Sequence, residues 1–360
     1  MHDINGKQVL FIAPQFFGYE LEIVEEMRRR GALVDFLPDR PFTSPLMKAV
    51  TRLRREWVLP FADRFFLDSV EAFGRTRYDL IFVVVGEGVS VRVLSEYRAS
   101  FPGATLVLYM WDAVRTKRAA QANLPFFDAL HTFDPNDAKT FGMNFRPLFF
   151  SPGFTPSTQI LPHYQLSFVG TAHSDRYAVV SNVAAALPKQ TSCYWYLYLQ
   201  APWVFWAHKL GNPAYRQASK NDFCFDPLSK AAVQSIFLNS LAILDIEHPG
   251  QTGLTMRTFE TIGAGKKLIT TNALVKETDF FKPENILVID RNRVPKIPDA
   301  FLHTAYEPLP VAVYKKYSLA GWLDEVLLSD VPMDIESSVR SLFTAIGGDD
   351  LVVEQNGVSS

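Results

Sequence analysis

Residues 80–109, LIFVVVGEGVSVRVLSEYRASFPGATLVLY, hold one complete unit of the fold. Leu80–Val85 is an unbroken apolar run of mostly β-branched and aromatic residues, Val89–Ser100 reads as a helix, and Thr105–Tyr109 is apolar again. A strand with no polar alternation is buried on both faces, which in a strand–helix–strand unit means a parallel sheet covered by helices. The chain opens the same way. Val9–Ala13 is a short apolar run ending at Pro14, Leu21–Arg29 repeats apolar positions at helical spacing until Gly31 stops it, and Val34–Leu37 reads as the next strand.

The alternation restarts beyond Ser151–Pro162, a stretch rich in proline, serine and threonine that reads as a linker. Strands are expected at Leu166–Gly170, Cys193–Leu199, Leu241–Ile246, Lys267–Thr271 and Ile286–Asp290, with helices from Ser174, over Ser229–Asn239 and over Met256–Ile262. The expectation is an α/β protein of two Rossmann-like domains, residues 1–155 and 163–305, followed by C-terminal helices over 306–328. The remaining residues, 329–360, carry six carboxylates against one arginine and read as an acidic, mobile tail. No internal repeat of 20–50 residues is present.

Composition removes several function classes. A 360-residue chain that is 48% apolar can bury two cores, while a net charge of −2 provides no basic field for displacing phosphate counterions, so nucleic acid is not an expected partner. Two cysteines, Cys193 and Cys224, make neither a disulfide framework nor a CxxC pair, and no metal is expected. The N-terminus, MHDINGKQVLFIAPQFF, lacks the basic start and long apolar core of a secretory signal, so the expected location is the cytoplasm. The most apolar stretch, Tyr194–Ala207, is interrupted by Gln200 and Pro202 and falls short of the roughly 20 residues of a membrane helix.

The stretch with the most chemistry is QTGLTMRTFETIGAGKKLITTN, residues 251–272. The turn Gly253-Leu254-Thr255 leads into a helix whose free N–H groups and positive dipole end suit a diphosphate. Arg257, one turn in, is placed to add a bidentate phosphate contact, and Glu260 to accept the hydroxyls of a ribose. The alternative is plainer: Arg257 and Glu260 form an i,i+3 surface pair, and Gly263 and Gly265 only cap the helix.

This segment resembles the donor-binding motif of GT-B glycosyltransferases, in which a glutamate near the start of a helix holds the nucleotide ribose. FFGYE (16–20), LYMWD (108–112), FDPNDAKTFGMNFRPLFF (133–150) and LSFVGTAHSDRY (166–177) resemble, with it, bacterial capsular, exopolysaccharide and lipopolysaccharide biosynthesis proteins of the CgeB-like type, over about residues 7–325. The resemblance implies a GT-B fold with parallel sheets facing an interdomain cleft. It also implies transfer of a sugar from a nucleotide-sugar to a surface polysaccharide or lipid-linked glycan, without metal or cofactor. The donor is expected mainly against the C-terminal domain and the acceptor against the N-terminal one. The other reading is a non-catalytic scaffold that binds a nucleotide-sugar or glycan. A different Rossmann-type enzyme would need a dinucleotide fingerprint or a P-loop; Gly86-Glu87-Gly88 supplies only two glycines, and no P-loop is present.

Open α/β sheets bind ligands beyond the carboxyl ends of their strands, which singles out a few loops. Gly18 and Tyr19 follow the first strand and are candidate acceptor contacts. Gly170 and Thr171 open the second domain and face the donor phosphates, with Arg176 as a further cation or a solvated helix residue. Trp111 and Asp112 end another strand. Trp111 is an acceptor candidate, and Asp112 the candidate base for the acceptor hydroxyl or the cap of a helix from Ala113; Glu87 is its rival. His248-Pro249 resembles the His-Pro pairs of some transferases that use CMP-sugars, so His248 joins Arg257 and Lys266 as a cation for the leaving group. Leu46–Phe61 reads as a basic amphipathic helix, packed on its own domain or lying peripherally on the inner face of the membrane. Trp195, Trp203 and Trp206 are candidates for the core, for a membrane or for stacking an acceptor. Tyr317–Trp322 fits a helix crossing back to the first domain.

Overall fold

A computed structural model describes residues 3–40, 59–156 and 161–328. Most of the expected amphipathic helix at Leu46–Phe61, part of the linker and the acidic tail lie outside these residues.

Two sheets organise the molecule, and every strand pair in both is parallel. The first contains β1 (Gln8–Ala13), β2 (Leu33–Pro38), β3 (Leu80–Val84), β4 (Thr105–Met110), β5 (Ala129–Thr132) and β6 (Asn144–Phe145), in the order β2-β1-β3-β4-β5-β6. The second contains β7 (Tyr164–Thr171), β8 (Cys193–Tyr198), β9 (Ser240–Asp245), β10 (Lys267–Thr270) and β11 (Ile286–Val288), in the order β11-β10-β9-β7-β8. All five residues of β3 are buried, as its lack of alternation requires. Strand order reverses direction between β1 and β3 in the first sheet and between β7 and β9 in the second. Crevices open at such switch points because the connecting helices leave on opposite faces.

The chain then returns to its first half. After a helix at Val311–Lys316, the helix Leu319–Leu328 brings Trp322, fully buried, against Phe82, Tyr109 and Phe149, with ring centroids 6.0, 4.7 and 4.7 Å away. Phe150 N–H donates to the Tyr317 carbonyl at 2.9 Å, and Leu319 N–H donates to the Phe150 carbonyl at 3.1 Å. Arg146 pairs with Glu325 at 3.0 Å and Arg30 with Asp324 at 2.6 Å. The final described helix therefore completes the core of the first sheet.

Candidate functional site

A cavity of about 800 Å³ lies between the carboxyl ends of the two sheets, within the roughly 300–1,000 Å³ of ligand clefts. Both switch points open onto it. Pro14, Gln15 and Phe16 come from the end of β1, Val85 from the end of β3, Gly170 and Thr171 from β7. Val85 has φ 66°, a conformation strained for a β-branched residue, and such strain is concentrated where a binding wall is over-determined.

The second-sheet side is built for an anion. Arg176 and Arg257 converge on Gly170: an ideal Cβ there would stand 3.4 Å from Arg257 Nη2 and 3.5 Å from Arg176 Nη1, so bare backbone lies beside two guanidinium groups. Arg176 is fixed by donating from Nε to the Ile246 carbonyl (2.8 Å) and from Nη1 to the Thr171 carbonyl (3.2 Å). Burial, reinforced by the charge of Arg257, pushes its pKa down to about 10. Burial also lowers that of Arg257, against the attraction of Asp245. Asp245, fully buried at the end of β9, brings its Oδ1 to 3.6 Å from Arg257 Nη1, while its Oδ2 accepts hydrogen bonds from the hydroxyls of Thr255 (2.8 Å) and Thr258 (2.7 Å). Arg257 Nε is buried and has no hydrogen-bond partner among the described residues. Asp245, Glu247 and Asp175 all act on Arg176, and Arg291 pairs with the last two, so what suits a diphosphate here is the set of guanidinium N–H donors facing the cavity rather than an excess of charge.

Thr255 caps the helix Met256–Gly263 by accepting from Thr258 N–H at 3.3 Å, and that helix aims its N-terminus and first turn at the same cavity. Glu260, on the next turn, lines the cavity and is only 6% exposed. Burial pushes its carboxyl up to about 8. The Tyr19 hydroxyl donates to Glu260 Oε1 across the gap between the sheets. Lys230 Nζ sits 3.6 Å from the centroid of the Tyr19 ring and pairs with Glu22 at 2.6 Å. Arg257 and Glu260 thus hold separate partners, and the i,i+3 surface pair does not form.

On the first-sheet side, Trp111 and Asp112 line the cavity beside Phe16 and Phe17, which are 48% and 60% exposed. The Phe16 ring lies 6.2 Å from Trp111 and 6.3 Å from Tyr19, so the rim is aromatic. Asp112 stands 3.5 Å from Lys117 and is half exposed. No helix starts at Ala113; a short 3-10 turn follows, and its Val114 N–H donates to Asp137 at 2.7 Å, so the capping role foreseen for Asp112 belongs to another aspartate. Glu87 is outside the cavity lining. It binds Arg40 and Lys117 (3.1 Å), which outweigh the cost of its burial and hold its pKa below the usual value.

Gly170, Thr171, Thr255, Arg257, Glu260, Tyr19, Trp111 and Asp112 therefore meet at one cavity. The others are not among its lining residues, although the His248 ring lies 5.6 Å from that of His173, which is. Gly18 turns the chain into the first helix with φ 75°. Gly253 packs against Phe133, whose ring carbons an added Cβ would meet at 2.6 Å, and Leu254 is buried in the core. Exposed His248 accepts from Gly250 N–H at 3.1 Å, and Lys266 does not line the cavity. Sequence reading missed many lining residues, and two of them are titratable groups with displaced pKa values. Asp39, after β2, is 1% exposed, accepts from Gly88 N–H at 3.0 Å and is pushed up to about 6 by burial. His173, after β7, is pushed down to about 4 by burial and the neighbouring arginines and is neutral. Among the described residues no three His, Cys, Asp or Glu side chains gather as a metal site, and no helix is long and apolar enough to cross a membrane.

No family model matches the chain, and no curated protein matches it in sequence. Solved structures match it in shape. HepE from Anabaena, in a crystal structure with UDP-glucose, superposes with a TM-score of 0.51 at 12% identity, over 94% of this chain and 99% of that one. A glycosyltransferase from Rickettsia africae gives a TM-score of 0.51 at 10% identity, over 96% and 100% of the two chains. Full coverage on both sides, together with two all-parallel sheets facing one cavity, makes this the GT-B fold.

Proposed function

We propose that this protein is a glycosyltransferase that moves a sugar from a nucleotide-sugar to a hydroxyl of a surface polysaccharide or lipid-linked glycan without a metal. The observation that carries the reading is the convergence of Arg176 and Arg257 on Gly170, beside Glu260, in the cavity between the sheets. The backbone of Gly170–Thr171, the two guanidinium groups and the Met256–Gly263 helix N-terminus hold the diphosphate; Glu260 holds the ribose. HepE, a solved neighbour, was crystallised with UDP-glucose, which supports a donor of this class.

The acceptor enters over the aromatic rim of Phe16, Phe17 and Trp111, whose faces suit the apolar side of a sugar ring. Asp112 takes the proton of the acceptor hydroxyl as its oxygen bonds to the anomeric carbon and the carbon–oxygen bond to the diphosphate breaks. The leaving diphosphate departs with its electron pair, and fixed cations offset the new charge, the work a metal does elsewhere. The similarity to CgeB-like proteins supports an acceptor from bacterial surface glycan assembly.

Thermal shifts against UDP, GDP, CMP and dTDP test the donor assignment, since a ligand stabilises the folded state according to its occupancy. One nucleoside diphosphate is expected to raise the midpoint in the wild type and not in Arg257→Gln. No shift with any of the four overturns the reading.

A further inference from the structure

The helix Pro202–Gly211 carries an exposed apolar face that the donor site does not use. Its inner side is anchored by Phe205, 1% exposed and packed on Phe223 at 5.4 Å. On its outer side Trp203, Trp206 and Leu210 are 71%, 55% and 90% exposed. Their spacing of three and four residues puts them on one stripe.

The charge around this stripe is one-sided. Residues 201–221 contain Lys209, Arg216 and Lys220 and not one carboxylate, in a chain whose overall charge is −2. Arg216 and Lys220 are exposed. The nearest carboxylate in sequence, Asp222, is occupied, accepting from the Tyr177 hydroxyl at 2.9 Å and from Ser219 N–H at 2.8 Å.

We propose that this face docks the protein on an anionic lipid bilayer. Two tryptophans and a leucine beside basic residues match the interface between headgroups and acyl chains, where tryptophan rings settle and each nearby cation gains from anionic lipid. A second copy fits poorly, because a two-fold pairing would bring the exposed Arg216 and Lys220 of the two copies together, Lys209 being turned inward over the Phe205 ring and donating to the Ala218 carbonyl at 2.7 Å. The docked cavity lies close to the lipid. Trp203 is five residues beyond Tyr198, which lines the cavity, a reach of at most about 17 Å. An acceptor carried on a lipid would then arrive at the cavity from the surface on which the enzyme rests.

Cosedimentation of the full chain with vesicles tests this without nucleotide, so its failure leaves the donor reading untouched. Vesicles of phosphatidylcholine mixed with phosphatidylglycerol are expected to bind the protein, vesicles of phosphatidylcholine alone to bind it far less, and high salt to release it. The pair Trp203→Ser and Trp206→Ser is expected to lower partitioning at least about tenfold with an unchanged melting temperature. Should that pair unfold the protein, Leu210→Ser on the outermost residue reads the same face. Equal binding by the variants, no binding of the wild type to mixed vesicles, or sedimentation velocity showing a dimer that Trp206→Ser dissociates would overturn the proposal.

Discussion

A charge on Glu260 is expensive where the residue sits, and that cost has two consequences. Its folded-state pKa of about 8 lies above the ordinary value of 4.5, so between those limits the native protein holds a proton that the unfolded chain has released. Stability therefore falls as pH rises through this window. Glu260→Gln retains an acceptor for the Tyr19 hydroxyl and is expected to flatten that fall, as thermal midpoints measured at intervals across the window would record. Ribose hydroxyls, by contrast, favour the ionised carboxylate. Nucleotide binding near neutral pH should then release a proton, detectable by calorimetry in buffers of different ionisation enthalpy, and should release none in Glu260→Gln; equal release in both removes Glu260 from the ribose. Asp112 makes a different kind of prediction. Asp112→Asn should cut turnover by roughly 10²–10⁴ while leaving nucleotide affinity nearly unchanged, because it meets only the acceptor. Unchanged turnover would pass the base to another group, with Asp39, raised to about 6 and opening on the same cavity, the first to test.

At the scale of the elements, what the sequence disclosed was what is local. Continuous apolar runs at Leu80–Val84 and, within Ser240–Asp245, at Leu241–Leu244 gave parallel strands, because neither alternation nor a turn residue interrupts them. Arg257 and Glu260 were legible because a glycine turn, a helix start and two charged residues lie within ten positions. Asp39 was not, since its significance comes from Gly88: a Cβ there would meet the Asp39 carbonyl at 1.7 Å, and that approach between loops 49 residues apart leaves no local trace. His173 was hidden because burial, which leaves no local pattern, dominates its pKa, with Arg176 three residues on and His248 and Arg257 from elsewhere in the chain adding to it. Trp203 and Trp206 read first as core residues and are instead exposed, because aromatic composition is blind to which side of a helix faces inward. Gly253 shows where local reading assigned the wrong neighbour. Its turn was read as a phosphate contact, yet it lets the Thr252–Thr255 segment close on Phe133 of the other sheet, where Thr252 also donates to Asp134 at 2.6 Å. Gly253→Ala is expected to cost about 1–3 kcal/mol by overpacking and to weaken nucleotide binding, because the helix bearing Arg257 and Glu260 starts three residues later. An unchanged unfolding midpoint would show that Phe133 can move aside.

For the whole molecule, the chain's return to its first half decides whether the two sheets behave as one folding unit. Trp322 fills a space walled by Phe82 of β3, Tyr109 of β4 and Phe149, so the first sheet cannot complete its core without a residue that lies beyond the whole second sheet in sequence. The same segment is tied to the crossing by the hydrogen bonds between Phe150, Tyr317 and Leu319, while Phe150 packs on Gly263 at the end of the helix that bears Glu260. Loss of the indole should therefore be felt in both halves. Trp322→Ala is expected to destabilise by about 3–5 kcal/mol, the usual cost of emptying an aromatic site in a close-packed core. Denaturant unfolding followed by tryptophan fluorescence and by circular dichroism should give one coincident transition in the wild type, shifted to lower denaturant in the variant. If the variant instead shows two separate transitions, this contact is what couples the sheets; if its midpoint does not move, the Leu319–Leu328 helix rests on the first sheet without stabilising it. The cavity's walls come from both sheets, with Glu260 on one side and Tyr19 on the other, so nucleotide affinity should fall in step with the stability lost at a site remote from any ligand.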